Sequence, residues 1–190
     1  MEVEVSAEAK DKKLNRLVAV TVVALSVFAG LCNIKDGNLV QAMQQAKADS
    51  VDTWGEYQAT KTKLHIAQTA RDEITVIAEG ANSAARGKAS TALSALDADI
   101  TKYSRSAPAL AAKAKGYADQ YDALNVHDDQ FDASEALISA AISMAAVAAL
   151  VESSGVLLAS WAFGAFGIFM GVCGFAKLAF HPDMLSNFLG

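Results

Sequence analysis

Three long apolar runs limit what this chain can fold into. Leu17 to Ile34 holds 18 residues without a charge, Ala136 to Val151 holds 16, and Ser153 to Ala176 holds 24. A helix needs about 20 predominantly apolar residues to cross the hydrocarbon core of a bilayer. The runs therefore predict an integral membrane protein with three transmembrane helices. The second run is short and needs flanking residues to complete a crossing.

The hydrophilic remainder of the chain favours helix. The segment from Lys35 to Glu135 carries 11 Lys/Arg and 15 Asp/Glu residues, is rich in alanine, and contains one proline. These residue types have high helix propensity. We therefore predict an all-α fold, with an extramembrane helical hairpin or bundle that resembles a coiled coil. The predicted segments are a basic tail at 1–16, transmembrane helices at 17–34, 133–152 and 153–178, the bundle at 35–132 and a short interfacial tail at 179–190.

Basic residues near the first run predict the orientation. Lys10, Lys12, Lys13 and Arg16 precede the run, and only Lys35 follows it directly. Because cytoplasmic flanks carry the excess of basic residues, we expect a cytoplasmic N-terminus in the bacterial inner membrane and a bundle outside the cytoplasm. A cleaved signal peptide is the alternative, and the length of the apolar run favours a retained anchor.

Breaks and apolar stripes divide the bundle into three predicted helices. Asp36-Gly37-Asn38 predicts a break after the first span, Gly80 ends the first helix, and Pro108 interrupts the second. Packing within the chain is the usual role of such stripes, and pairing with other copies is the alternative. The stripes are Val40, Met43, Val51, Trp54, Tyr57 and Leu64, then Ala85, Ala89, Ala92, Leu96, Ile100 and Tyr103, then Leu110, Ala114, Tyr117, Tyr121 and Leu124.

One short motif carries a resemblance to a known family. The segment from Trp54 to Ala59 reads Trp-Gly-Glu-Tyr-Gln-Ala and lies between the first span and the paired later spans. In this arrangement the chain resembles the bacterial membrane family catalogued as domain of unknown function 4337, although Thr60 stands where that family usually has a lysine. The resemblance implies an N-terminal anchor, a helical middle and a C-terminal membrane hairpin. By spacing alone, Trp54 and Tyr57 share a helix face, which predicts an aromatic core contact.

The last apolar run contains a seam of small residues. Ser160, Gly164, Gly167, Gly171 and Gly174 follow one another at intervals of four, three, four and three residues. Small residues in a membrane helix allow a neighbouring backbone to approach closely. The seam therefore predicts helix packing, and the sequence leaves open whether it packs within one chain or between subunits of a homo-oligomer.

Acidic residues precede the second span. Asp128, Asp129 and Asp132 are weak candidates for binding a hard divalent cation through clustered oxygen atoms. The interpretation we prefer is that this segment begins a helix, because Asp132 and Glu135 have the spacing of a capping box. No metal site is therefore predicted.

The remaining residues give no indication of catalysis or of cofactor binding. We find no nucleophile paired with a base and no cofactor fingerprint, and the net charge of −5 with interspersed signs argues against nucleic-acid binding. Cys32 and Cys173 lie within apolar runs, where cysteine usually acts as a small hydrophobe. We expect a non-enzymatic, self-associating membrane protein with a structural or scaffolding role, bound to lipid and without an identified small-molecule substrate. The alternative is a subunit of an oligomeric channel or transporter with a path lined by Ser139 and Ser143.

Overall fold

The computed structural model describes residues 12–178 and 180, and these residues form three helices. The helices are α1 (Lys12–Glu79), α2 (Ser83–Leu150) and α3 (Ser154–Ala176). The described part of the chain contains no strand, which confirms the all-α prediction. Each helix contains a stretch long and apolar enough to cross a membrane. Most of the predicted interfacial tail and most of the predicted basic tail lie outside the described residues.

Two of the predicted breaks are wrong, because both positions lie inside helices. Asp36 and Gly37 are within α1, and Pro108 is within α2. A glycine inside a helix costs about 1 kcal/mol and a proline about 3 kcal/mol relative to alanine, and packing over a long helix offsets such amounts. Pro108 is exposed while Ala107 beside it is buried, so the ring lies on the solvent side of the helix.

The connection between α1 and α2 follows the sequence prediction. α1 ends at Glu79 directly before the predicted stop at Gly80. Asn82 caps α2, since its Oδ1 accepts a hydrogen bond from the backbone N–H of Ala85 at 3.0 Å. The guanidinium of Arg86 donates to the carbonyl oxygen of Glu79 at 3.3 Å, which gives the end of α1 a partner as well.

Contacts divide the chain into two compact units. The first unit comprises the chain up to Ala42 and from Ala123 onward, and the second comprises Met43–Asp122. α1 and α2 contribute to both units, whereas α3 belongs to the first unit alone.

Three helices pack together in the first unit. α3 runs parallel to α1 and antiparallel to α2, because residue numbers at the contacts rise together on α1 and α3 and fall on α2. Three successive crossings of one membrane require this arrangement. The two apolar clusters between the helices consist of Leu14, Val18, Ala145, Ala148 and Leu157, and of Leu25, Ile138 and Ala141.

The outside of the first unit is apolar. Large hydrophobic side chains on α1 and α3 point away from the other helices, and an exposed apolar surface of this extent is typical of contact with another apolar phase such as lipid. They include Val20, Val23, Val27, Leu31 and Ile34 on α1, and Leu158, Phe163, Phe166 and Phe169 on α3.

A pair of helices forms the second unit, and small residues dominate its contact. Ser50 is buried at this contact and donates a hydrogen bond from its Oγ to the carbonyl oxygen of Ala114 at 3.1 Å. The buried or half-buried positions recur every three or four residues on both helices. They include Met43, Ala46, Ser50, Thr53, Tyr57, Thr60, Leu64 and Ala67 on α1, and Leu96, Ile100, Tyr103, Ala107, Leu110, Ala114, Tyr117 and Tyr121 on α2.

Candidate functional site

The small-residue seam of α3 faces the other two helices of its own chain. Ser160, Gly164, Gly167, Gly171 and Gly174 are all buried. Adding a Cβ to any of the four glycines would place it in close contact with α1 or α2. The nearest atoms to such a Cβ are Leu25 Cδ2 at 3.1 Å for Gly164, Ile138 Cγ1 at 2.8 Å for Gly167, Phe28 Cε1 at 2.7 Å for Gly171 and Phe131 Cζ at 2.8 Å for Gly174.

Two hydrogen bonds reinforce this packing at the Ser160 end of the seam. The hydroxyl of Ser160 donates to the carbonyl oxygen of Ala141 at 2.6 Å and is fully buried. The indole N–H of Trp161 donates to the hydroxyl of Thr21 at 2.8 Å. Interhelical hydrogen bonds of this kind hold membrane helices together where apolar contact alone gives little preference. The seam thus connects all three helices of the first unit.

The two cysteines take part in packing as separate thiols. Cys32 and Cys173 are both buried and free. The Sγ atom of Cys32 lies 3.8 Å from the hydroxyl oxygen of Ser134, which joins α1 to α2 beside Gly171.

A pair of carboxyl groups joins α1 and α2 at one end of the first unit. The carboxyl groups of Asp36 of α1 and Asp128 of α2 interact with each other, and the Oδ1 atom of each is buried and has no hydrogen-bond partner. Ionised carboxylates offer only acceptors. A hydrogen bond between the two carboxyl groups therefore requires that one of them is protonated.

The surroundings of this pair favour the protonated form. Burial raises the pKa of Asp128 to about 6, and the negative charges of Asp36, Asp132 and Asp129 add to the effect. Burial also raises the pKa of Asp36, although its interaction with Asp128 acts in the opposite direction. A carboxyl group perturbed in this way is a common feature of functional sites and also of structural networks.

The preferred capping interpretation of this segment is wrong. Asp132 and Glu135 lie in the interior of α2, which begins at Ser83, so no free helix start exists for them to cap. Among the described residues, no group of three or more His, Cys, Asp or Glu side chains is placed to hold a metal ion. Asp129 instead accepts a hydrogen bond from the amide of Asn125 at 3.4 Å.

A buried glutamine next to this pair was missed by the sequence analysis. Gln130 is fully buried, and its amide nitrogen donates to the carbonyl oxygens of Leu178, at 2.8 Å, and Phe180. Its amide oxygen lies 3.1 Å from Nδ1 of His127. The side chain thereby ties the chain beyond the end of α3 to α2. A lone glutamine in a polar segment carries no pattern that would have revealed this role.

The predicted aromatic pair lies in the second unit and differs from expectation in its exposure. Trp54 and Tyr57 are in edge-to-face contact with their ring centroids 5.3 Å apart. Tyr57 is half-buried, but Trp54 is 41% exposed, so the pair lies at the surface and not in a core. Tyr57 is one of the α1 positions that contact α2, whereas Trp54 lies beside that row of positions.

Ser139 and Ser143, the predicted lining of a channel, are exposed on α2. The hydroxyl of Ser143 donates to the carbonyl oxygen of Ser139 at 2.9 Å. This bond satisfies the hydroxyl donor within its own helix, so the serine can face an apolar surrounding at low cost.

Comparison with known proteins gives one match. The family model described as domain of unknown function (DUF4337) matches residues 14–177. No curated protein and no solved structure matches the chain.

Proposed function

Because the chain belongs to the family described as domain of unknown function (DUF4337), whose description assigns no activity, we propose a function from its own surfaces: it is a non-enzymatic, self-associating integral membrane protein with a structural or scaffolding role. In this proposal the three apolar helical stretches cross the bacterial inner membrane with the N-terminus in the cytoplasm. The second unit then lies in water outside the cytoplasm. Its two helices would form an intramolecular coiled coil, since the contact positions recur as in a heptad.

The distribution of exposed apolar side chains in the second unit carries the proposal. Five large hydrophobic residues are 41% to 70% exposed there, and all five lie on α1. The α2 part of the same unit exposes none. In the proposed topology water and not lipid surrounds this unit, so a one-sided apolar surface favours contact with another protein. The five residues are Val51, Trp54, Ile66, Val76 and Ile77.

Insertion and topology are tested by cysteine labelling of intact cells. On a Cys32→Ala, Cys173→Ala background, we expect a Gly116→Cys variant to react with a membrane-impermeant maleimide added outside. A Gly155→Cys variant, at the start of α3, is expected to react only after the cells are permeabilised. Both positions are exposed glycines, which makes them a matched pair. If only Gly155→Cys were labelled in intact cells, the topology would be the opposite of the proposed one. Release of the protein by carbonate washing would contradict insertion.

Self-association is tested by the molar mass in detergent. Light scattering coupled to size exclusion, corrected for bound detergent, is expected to give a protein mass of two or more times the 19.8 kDa chain mass. A protein mass of one chain at every concentration and in every mild detergent would contradict the proposal.

The channel alternative rests on the exposed serines of α2. It predicts ion flux through reconstituted liposomes that falls when Ser143 is replaced by leucine. The scaffolding proposal predicts no flux above that of empty liposomes.

A further inference from the structure

We infer that the partner of the exposed α1 surface is a second copy of this chain, whose α1 helix lies parallel and in register against it. The inference rests on the proposed self-association and adds its surface, its orientation and its register. The surface, called the outer α1 face below, is defined by Ala48, Val51, Gly55, Gln58, Thr62, His65 and Thr69, with Trp54 and Ile66 at its edges.

The outer α1 face is a continuous uncharged strip. At about 100° per residue, the five exposed hydrophobic residues of the second unit fall within an arc of about 140°. This arc lies opposite the α1 positions that contact α2. Between Lys47 and Asp72 this arc contains no Asp, Glu, Lys or Arg. Positions that recur every three or four residues without a charge over about six turns suit packing against another helix.

Gly55 lies near the middle of the outer α1 face and has no role in its own chain's packing. A Cβ built on it would meet no atom within 4 Å. The glycines of the α3 seam differ, because a Cβ on each of them would contact a neighbouring helix. At Gly55 the missing side chain leaves room for a second helix to approach, and Trp54 beside it supplies the large apolar surface that such a contact buries.

The membrane fixes the direction of pairing. Two copies inserted with the same topology have α1 helices that run the same way, so an antiparallel pair would require opposite insertion. A two-fold axis along the membrane normal places each residue of the outer α1 face against the same residue of the second copy. Gly55 then faces Gly55, and Thr62 faces Thr62.

Charges along the two edges of the outer α1 face complement each other in this arrangement. In a parallel pair, a residue on one edge meets the residue five positions later on the partner's opposite edge. Lys47 then meets Asp52 of the second copy, and the pair occurs twice by symmetry. The two residues are separated by about 140° around their own helix, so they do not pair within one chain. The Lys47 ammonium lies 5.8 Å from the ring centroid of Tyr121 in its own chain, and rotation of its flexible stem redirects it.

The remaining edge positions fit the same register. Trp54 meets Ala59, Lys61 meets Ile66, and Gln68 meets Glu73. No pair of like charges arises, and the aliphatic stem of Lys61 can cover the exposed Ile66 side chain. The parallel, in-register arrangement therefore buries the uncharged strip and places no like charges together at its edges.

Disulfide trapping of the full-length protein in membranes tests the inference. On the Cys32→Ala, Cys173→Ala background, Gly55→Cys is expected to form at least about fivefold more cross-linked dimer on mild oxidation than Gly116→Cys, because facing residues of such a pair lie within disulfide reach. Gly116 is a matched control, since it is an exposed glycine of the same unit whose Cβ would also meet no atom within 4 Å. Equal yields at the two positions would overturn the inference.

A second variant tests the register. Thr62→Cys is expected to cross-link to itself as Gly55→Cys does, whereas differently tagged Gly55→Cys and Thr62→Cys chains expressed together are expected to give few mixed dimers, because seven residues separate them by about 10 Å. Mixed dimers as abundant as the self-paired ones would contradict the in-register arrangement.

The charged edges provide a test that does not depend on cysteine geometry alone. Lys47→Glu and Asp52→Lys are each expected to lower the Gly55→Cys cross-link yield about threefold through like-charge contact, and the double exchange is expected to restore it. A double variant with a yield no higher than that of the single variants would show that Lys47 and Asp52 do not pair between chains.

If the light-scattering mass is oligomeric while Gly55→Cys stays unlinked, the surface is wrong and self-association stands. A single-chain mass with no cross-link overturns both.

Discussion

Replacement of Gly167 by alanine is expected to destabilise the first unit by about 1–2 kcal/mol, whereas the same replacement at Gly30 is expected to stabilise it slightly. Both glycines lie in the apolar stretch of a helix, where alanine gains about 1 kcal/mol of helix propensity. At Gly167 the added Cβ would lie 2.8 Å from Ile138 Cγ1 and 3.2 Å from the backbone nitrogen of Ile138. Overpacking of this kind costs about 1–3 kcal/mol, and a backbone atom cannot move aside as a flexible side chain does. At Gly30 a Cβ meets nothing within 4 Å.

The comparison is measured by unfolding both variants in mixed micelles with increasing dodecyl sulfate, with circular dichroism as the signal. Gly167→Leu is expected to prevent stable folding, while Gly30→Leu is expected to fold and unfold like the unmodified protein. Equal stabilities of the two alanine variants would show that the seam is not tightly packed. A change in subunit number with unchanged stability at Gly167 would place the seam between chains.

Local patterns were enough to predict the three long apolar stretches, one in each helix, and the residues of the α3 seam. The length of an apolar run and a spacing of three or four residues are properties of neighbouring positions. The partners of the seam could not be predicted in the same way. Phe28 and Phe131 lie far from Gly171 and Gly174 along the chain, and only the packing of three helices shows which side chain faces which glycine.

Predictions failed where packing outweighs local preference. The Asp36-Gly37 dipeptide and Pro108 are poor helix formers, yet both lie within continuous helices, because preferences of 1–3 kcal/mol are small against the contacts of a whole helix. A second failure concerns the hydrophobic pattern of α1. The predicted stripe included Val51 and Trp54, which are exposed, whereas the observed contact uses Ser50 and Thr53 instead. Small polar residues that bond to a neighbouring backbone, as Ser50 does, are invisible to a search for apolar positions.

Lowering the pH from 7 to 4 is expected to stabilise the first unit through the Asp36–Asp128 pair. An unfolded aspartate has a pKa of about 3.9, and burial raises the pKa of Asp128 in the folded protein to about 6. Between these values the folded state binds more protons than the unfolded state, so the free energy of unfolding falls as the pH rises. The contribution of the pair is therefore fully present below about pH 4 and is lost as the pH rises through 6.

Replacement of Asp128 by asparagine is expected to remove the Asp128 part of this dependence and to raise the stability at pH 7, while Asp132, whose pKa burial also raises, keeps its own part. The amide donates the hydrogen bond that the protonated carboxyl would donate, and it ends the repulsion between the two negative charges. Because both side chains are only half-buried, solvent screening reduces the expected gain to on the order of 1 kcal/mol. At pH 4, where the unmodified pair is protonated, the variant is expected to gain little.

Thermal unfolding of the two proteins, followed by circular dichroism at pH values from 4 to 8, measures this difference. Asp122→Asn is the control, because Asp122 is an exposed carboxylate on the same helix in the second unit, and its replacement is expected to leave the pH dependence between 4 and 6 in place. If the melting temperature of Asp128→Asn still depends on pH in this range, that dependence comes from other carboxyl groups. A melting temperature that rises from pH 4 to pH 7 in the unmodified protein would mean that the folded pair favours the ionised form, which its buried and unsatisfied oxygen atoms make unfavourable.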